Sequence, residues 1–568
     1  MTALLAENLP LLAGAPNGIK KLRELILELA VRGKLVPQDS NDEPASELLK
    51  SIAAEQARLM VEEGLRTKAQ ADVPQKDQYL QVSAGWAYSR LGNLARFIDY
   101  RGRTPIKTDS GIPLITAKNV RVGFISREPQ EFISKDDYSS WMTRGFPRLG
   151  DVLFTTEAPM GNVALVNISE KFALAQRIIC FQLHDLSIGP FLKLAMMSTT
   201  FQKQLLEVAT GMTATGVKSS RLKEIPVPLP PLAEQHRIVA KVDELMALCN
   251  QLEAQQADAE TAHSRLVRAL LDSLTYATDG KDFAANWQRL AEHFHTLFTT
   301  EGSIDAIKQT LLQLAVMGKL VLQDPSDEPV CELLKRIESE KQQVVQVGRV
   351  KSDKLLPLGA QPSKLFAIPC TWSWVQLGQI TISGPSNGFS PKPATVETNY
   401  RCLTLSATTR GMFNGNHFKF VDITDEIAQK YHLKNGDLLI QRANSIDYVG
   451  VSAIYDGADD YYIYPDLMMK LKISSHLNSS FLHAYLSSNF GREYFKSNAT
   501  GTQGNMPKIN QGTVVSAPIP IPPIAEQHRI VTKLNQLLAL CDLLKSRLIQ
   551  AHLINEQLST NLAKHAIN

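Results

Sequence analysis

Cysteine is scarce in this chain, with six in 568 residues. Cys180, Cys249, Cys331, Cys370, Cys402 and Cys541 form no C-x-x-C pair and join no histidine cluster. That excludes the spacing of a zinc site and points to buried thiols in a reducing compartment. No apolar run reaches the roughly 18 residues of a membrane helix. The opening MTALLAENLPLLAG has no basic start and is interrupted by Glu7 and Pro10, so no signal peptide is expected and the cytoplasm is the expected location. Charge of one sign is also lacking: the net is +3, which alone says nothing about nucleic acid. Enzyme signatures are missing too. There is no G-x-x-x-x-G-K-[ST] phosphate loop and no G-x-G-x-x-G cofactor loop. There is no Asn- or Asp-Pro-Pro-aromatic tetrapeptide, the usual holder of a flipped adenine in amino-methyltransferases. Gly384 to Gly388 (GPSNG) fits G-x-S-x-G around Ser386, but Pro391 and Pro393 follow where a nucleophile elbow needs a helix, so a turn is expected. His236 and His528 have no Cys, His or carboxylate three or four residues away, which argues against a metal site.

What the chain does contain is a duplication. AEQHRIV occurs at Ala233–Val239 and again at Ala525–Val531, 292 positions later. Each copy follows a proline arm, IPVPLPP from Ile225 and APIPIPP from Ala517. Proline neither donates to a sheet nor continues a helix, so each arm should leave a globular unit in an extended form and then open a helix. Behind the first arm, Ile238, Val242, Leu245, Cys249 and Leu252 step by 4, 3, 4 and 3; Ile530, Leu534, Leu537, Cys541 and Leu544 step identically behind the second. This is an a/d seam, and such a seam needs another helix. Two copies of one pattern predict that the seams pack on each other.

The repeat extends upstream. Leu22, Ile26 and Leu29 share a helical face, with Gly33 as its stop, and Ile307, Leu311 and Leu314 repeat that face. GKLVPQDSNDEPASELLK from Gly33 returns as GKLVLQDPSDEPVCELLK from Gly318, with an acid–proline helix start in each. Residues 64–80 and 341–362 read as connectors, and 276–300 as a linker. Trp86 and Leu91-Gly92 match Trp372 and Leu377-Gly378, opening two long segments. Both carry strand-like runs after a Gly-Asp turn, Val152–Thr155 and Leu438–Gln441, and both carry one late helix, near 190–208 and 478–497. The ends of the repeat align, whereas 100–220 and 386–510 hardly do. The expected fold is α+β: two mixed α/β domains in a pseudo-two-fold tandem repeat, separated by an antiparallel coiled-coil helix pair. The expected boundaries are a helical region at 1–80, domains at 81–230 and 371–522, long helices at 231–275 and 523–568, and a linker with the second helical region at 276–370.

The arrangement resembles the specificity (S) subunit of type I restriction–modification systems. The motif P-[LI]-P-P-[LI]-A-E-Q at both domain exits carries the resemblance, with a diverged domain between matching helices. The resemblance implies two target recognition domains, each reading one half of a bipartite double-stranded DNA site. It implies helices that hold two methyltransferase (M) subunits for adenine N6 methylation, joined by restriction (R) subunits. Cofactors would then lie elsewhere, S-adenosylmethionine in the M partner and ATP with Mg²⁺ in the R partner, with none in this chain. Two rival readings remain at this point: a self-contained methyltransferase–nuclease, which the missing motifs oppose, and a helical scaffold without a DNA role.

Within 81–230, 18 Lys and Arg stand against 12 Asp and Glu, a net of +6; within 371–520 the counts are 12 and 11, a net of +1. The first domain therefore has the charge of a phosphate footprint. Polar loop residues are the expected base readers. In the first domain they are Arg101, Arg103 and Lys107, then Lys118, Asn119 and Arg121, then Thr213, Thr215, Lys218, Ser219 and Arg221. In the second they are Thr408, Thr409, Arg410, Asn414 and Asn416, then Gln441, Arg442 and Asn444, then Thr502, Gln503, Asn505 and Lys508. Any one of these, taken alone, is equally well an ordinary solvated loop residue. The loops GMTATG and TGTQGN carry more weight because they precede the two exit arms at matching places.

Overall fold

The computed structural model describes residues 14–62, 71–100, 104–210, 215–346, 362–501 and 506–567. The chain divides into two compact units, Met1–Ala259 with Ala551–Asn568, and Glu260–Gln550.

In the first unit, α1 (Gly18–Val31) buries Ile19, Leu22, Leu25, Ile26 and Leu29 along one side. It stops as Gly33 should make it stop. Gly33 is left-handed at φ +64, its N–H donates to Ala30 O, and the Lys34 N–H donates to Leu29 O. A side chain at Gly33 would also meet the Trp86 ring at 3.0 Å. Helix α2 (Ala45–Glu62) follows. The domain then opens with β1 (Ala87–Arg90) and β2 (Ala95–Asp99), continues through β3 (Ile112–Ile115), β4 (Phe132–Ile133), β5 (Val152–Thr155), β6 (Val163–Leu165), β7 (Ala173–Leu174) and β8 (Ile178–Leu183), and closes with β9 (Pro226–Leu229). One antiparallel sheet has the order β2-β8-β5-β6; a smaller one has the order β4-β3-β7, with β3 and β7 parallel. Strand β5 is buried throughout because both its faces are covered. Val152 and Phe154 face the helical core, while Leu153 faces the core under the smaller sheet.

The second unit repeats this plan with β10 (Ser373–Gln376), β11 (Thr381–Asn387), β12 (Tyr400–Leu403), β13 (Phe418–Val421), β14 (Leu438–Gln441), β15 (Ser452–Ile454), β16 (Tyr462–Ile463), β17 (Met468–Ile473) and β18 (Pro518–Ile521). Its sheets run β11-β17-β14-β15 and β13-β12-β16, again with one parallel pair, β12 and β16. Position for position this is the first domain's topology, although the two sequences scarcely align.

The exit arms are extended, as expected, and they pair. Strand β9 runs antiparallel to β1 and β18 to β10, so each domain's entry and exit strands are zipped together. The alternation in PVPL and PIPI makes this possible: prolines occupy every second position, where the strand's N–H points away from its only neighbour. Val227 and Leu229 fill the core of the first unit, and Ile519 and Ile521 fill that of the second.

The helix behind each arm then fastens the domain to the preceding block. In the long helix Leu232–Thr275, Glu234 is buried and accepts from Gln38 Nε2 at 2.6 Å and Trp86 Nε1 at 3.0 Å. Burial raises its pKa, and the two donors oppose the shift. Gln235 Nε2 donates to Pro230 O, and Arg237 grips Asp42 with Nη2 to Oδ2 at 2.6 Å. The second copy does the same with Glu526 and Gln323 at 3.1 Å, Gln527 and Pro522 O, and Arg529 and Asp327 at 2.6 Å. The repeated AEQHR, the Gln and Asp of KLVxQDxxDEP and the buried tryptophans are thus parts of one joint, made twice.

The seams correct one expectation. Ile238, Val242 and Cys249, with Leu245 and Leu252 half-buried beside them, share their core with α1 of the same unit. Ile530, Leu534 and Cys541, with Leu537 and Leu544, share theirs with the helix Glu301–Val316. Each seam is filled by the helix preceding its own domain rather than by the other seam. Polar contacts mark the same pairing, Arg23 to Asn250 and Glu253 in one unit and Lys308 to Asp542 in the other. The second long helix, Ile524–Ile567, enters the first unit only at its far end, through Leu562 and Ala563. The end of the first long helix, through Val267, Leu271 and Leu274, enters the core of Ile530 and Leu534. In each unit the opening part of one long helix lies with the closing part of the other.

Four smaller expectations are also corrected. The span read as a linker holds the helix Gly280–Glu292, capped by Asp279, and 341–346 continue the helix Val330–Gln346. The single late helix of each domain is two, Gly189–Met197 with Thr199–Val208 and Ser479–Ser487 with Asn489–Ser497; Ser198 and Ser488 break them by capping the second member. Gly384–Asn387 of GPSNG are not a turn but the end of β11, where the pairing with β17 shifts register.

Candidate nucleic-acid interface

In both domains the central strand and its neighbour end together at one tip. In the first domain β5 leads into Thr156 and Glu157, β8 is entered from Arg177, and the Thr156 N–H donates to Arg177 O at 2.9 Å. Gly216, from the loop before the exit arm, bridges to both Glu157 and Thr210. In the second domain β14 leads into Arg442 and Ala443, the Arg442 N–H donates to Leu467 O at 2.7 Å, and Lys508 bridges to both Ala443 and Thr500. The backbone frame is the same, and the side chains on it differ.

The predicted readers divide on this frame. Arg101, Arg103, Thr213, Thr502, Gln503 and Asn505 lie outside the described residues. Lys107, Lys118, Arg121, Thr215, Lys218 and Arg221 are exposed, and Ser219 is half-buried. Lys107 and Lys118 are brought to one cavity of about 230 Å³ with Gln176 and Arg177, although Lys107 is held by Glu131 at 2.8 Å. Arg221 lies 3.8 Å from Glu224 on its own short helix. In the second domain Arg410, Asn414, Asn416 and Lys508 are exposed, and Arg442 is half-buried with Nη1 3.4 Å from Asp466 O.

Five of the predicted readers serve the fold instead. Asn119 is buried, accepts from the Thr116 N–H and hydroxyl, and donates to Ser126 O and Pro129 O, so its amide is fully used. Gln441 is buried; its Nε2 contacts Leu405 O, Thr408 Oγ1 and Thr409 Oγ1, and its Oε1 accepts from Asn444. Thr408 is buried within that network, and Asn444 turns its remaining oxygen to the Ser445 N–H. Thr409 donates to Leu405 O at 2.8 Å and is half-buried. These side chains set loop shape; a base edge would have to displace bonds already made.

Some interface candidates were missed by looking only for polar residues. Val122 and Phe124 flank Gly123 on an exposed tip beside Arg121, and Met412, Tyr448 and Met506 are exposed on the second domain's loops. Exposed apolar groups in such loops suit the thymine methyl. Arg177 and Glu157 were missed because twenty residues separate them, and only the sheet register brings them together.

Among the described residues no group of His, Cys, Asp and Glu could hold a metal ion, and no helix is long and apolar enough to cross a membrane. His236 is exposed on its helix, and His528 Nδ1 lies 3.0 Å from Asn478 Nδ2.

Two similar domains, each offering a different set of side chains on one frame, define a protein that carries two recognition surfaces. The family model for the type I restriction modification DNA specificity domain matches the chain twice, over residues 84–260 and 370–552, and the chain belongs to that family. It is the non-catalytic specificity component of a type I restriction–modification system. It is 33% identical to the type I restriction enzyme EcoEI specificity subunit of Escherichia coli, over 97% of this chain and 94% of that one. It is 35% identical to the EcoAI specificity subunit of Escherichia coli, with the same coverage. The HsdS subunit of Thermoanaerobacter tengcongensis, known from a crystal structure, is 17% identical over 86% of this chain and 98% of that one, with a TM-score of 0.37.

Proposed function

We propose that residues 81–230 and 371–522 are target recognition domains that read the two unlike halves of a bipartite double-stranded DNA site. Two identical readers on a two-fold scaffold would select a palindrome. The observation that carries the asymmetric reading is the shared topology with different side chains at the same tip, Glu157 and Arg177 against Ala443 and Leu467. The long helices dock two adenine-N6 methyltransferase (M) subunits. What supports two equal docking faces is a duplicated pair of exposed leucines, Leu248 with Leu558 in the first unit and Leu540 with Leu266 in the second. The M subunits supply S-adenosylmethionine chemistry, and restriction (R) subunits with ATP and Mg²⁺ join the assembly in the cytoplasm.

The test is domain exchange. Replacing residues 90–224 with the corresponding segment of another specificity subunit should change one half of the methylated site and leave the other. Sequencing methylated adenines in cells carrying each chain measures this. A change in both halves, or in neither, overturns the reading.

A further inference from the structure

Arg177 is one of four described non-glycine residues with positive φ, at +74; the others are Asn17, Ala158 and Asp460. Asn and Asp visit this region readily, and arginine does not. The bond from the Thr156 N–H to Arg177 O holds the strained residue at the mouth of the sheet. Its Nε lies 3.4 Å from Glu157 Oε2, and both side chains reach solvent, 51% and 34% exposed. Nη1 and Nη2 have no hydrogen-bond partner among the described residues. A carboxylate is out of place on a surface built only for phosphates, yet this one is closely accommodated: a Cβ at Gly216 would lie 2.6 Å from Glu157 Cγ. Lys118 and Gln176 line the adjoining cavity with Arg177.

The second domain shows that the frame does not need this pair. Leu467 and Ala443 occupy the equivalent backbone positions there, with the same hydrogen bond and the same bridge. A strained arginine aimed by a carboxylate, dispensable to the fold and placed at the domain tip, belongs to recognition.

We propose that Arg177, aimed by Glu157, reads the O6 and N7 edge of a guanine in the half-site taken by the first domain. The inference rests on the DNA-reading function above. An arginine fork matches the guanine edge with two donors, whereas a phosphate would not require a carboxylate beside it. Glu157 is a positioning residue whose carboxylate fixes the fork through Nε.

The test uses the full-length chain and a randomised duplex library. Wild type should enrich a bipartite consensus, and the half that changes on exchange of residues 90–224 is the first domain's. Arg177→Leu and Arg177→Gly should each lose on the order of 10- to 100-fold preference for guanine at a single position in that half. Glycine suits the left-handed backbone, and unchanged preferences at the other positions of the first half-site in each variant show that the first domain is folded. Arg177→Lys should keep the charge and the salt dependence of binding but lose the same preference. Glu157→Gln should weaken preference at that position alone. An unchanged consensus overturns the proposal. So does uniform weakening across sequences with the salt slope reduced by about 0.9, the mark of a lost phosphate contact. A wild-type chain that enriches no sequence overturns the DNA-reading function itself, and this proposal with it.

Discussion

Truncating Ile238 to alanine tests where the seams are satisfied. Ile238 is completely buried, in the core that holds Leu22, Leu25 and Leu29 of α1. Removing its branched side chain should cost about 2–5 kcal/mol, as buried aliphatic truncations do. Because the chain has two units, a single unfolding free energy is the wrong observable. Amide hydrogen exchange resolves the effect by segment. Protection in α1 (Gly18–Val31) and in the opening turns of the long helix after Leu232 should fall by roughly 30-fold to several thousand-fold. Protection in Glu301–Val316 should hold. Ile530→Ala should reverse the pattern, exposing Glu301–Val316 and sparing α1, since its core is the one containing Ile307, Leu311 and Leu314. Leu540→Ala, on an exposed face of the same helix as Ile530, should change protection little. If Ile238→Ala deprotected Glu301–Val316 as strongly as α1, the seams would be packed on each other and the assignment of cores would be wrong.

Glu234→Gln should gain on wild type as pH rises. Burial lifts the folded pKa of Glu234 above its unfolded value, so the folded form keeps its proton longer; wild type loses stability as pH climbs through that interval, and glutamine does not. Melting temperatures of both proteins at pH 4 and pH 7 check this: the variant's value minus that of wild type should be more positive at pH 7, and a difference that falls between pH 4 and pH 7 refutes it. Gly33→Ala should destabilise the first unit by more than 1 kcal/mol, because alanine at φ +64 is strained and its Cβ would press on Ser83 at 2.8 Å; a thermal melt measures it. Leu248→Asp with Leu558→Asp should leave the fold intact and reduce the bound methyltransferase from two copies to one, read by native mass spectrometry of the complex. Four residues inserted in each long helix should widen the gap between half-sites by about one to two base pairs, since the helix lengthens by roughly 6 Å. Sites near Gln251 and Leu543 suggest themselves from the sequence, but Asn250 and Glu253 bind Arg23, and Asp542 and Lys545 bind Lys308 and Asp305, so the insertions belong in the exposed stretches 254–260 and 549–555. Methylome sequencing reads the spacing.

Much of the scaffold was legible because its signals are local or repeated. Gly33 announced its left-handed stop, the Val152–Thr155 and Leu438–Gln441 runs gave their strands residue for residue, and the apolar seam residues point into cores. The duplication was plain in AEQHRIV and in the two QD-x-x-DEP blocks, since residues that build the same joint twice are constrained twice. The site was less legible. Asn119 and Gln441 have the chemistry of base readers, and only their neighbours reveal that every polar atom is already engaged.

Periodicity, proline spacing and repetition by themselves determined the helices, the exit arms and the two-part plan, because each depends on residues a few positions apart or on comparing the chain with itself. The tertiary structure alone decided which helix fills each seam, since an a/d stripe specifies a helical neighbour but not its address. It alone decided that two domains with unlike sequences share one topology, because apolar alternation can be satisfied by many different residues. It alone placed Arg177 against Glu157 and Leu467 against Ala443, because strand register, which no short stretch of sequence encodes, brings the ends of β5 and β8, and of β14 and β17, to the same tip.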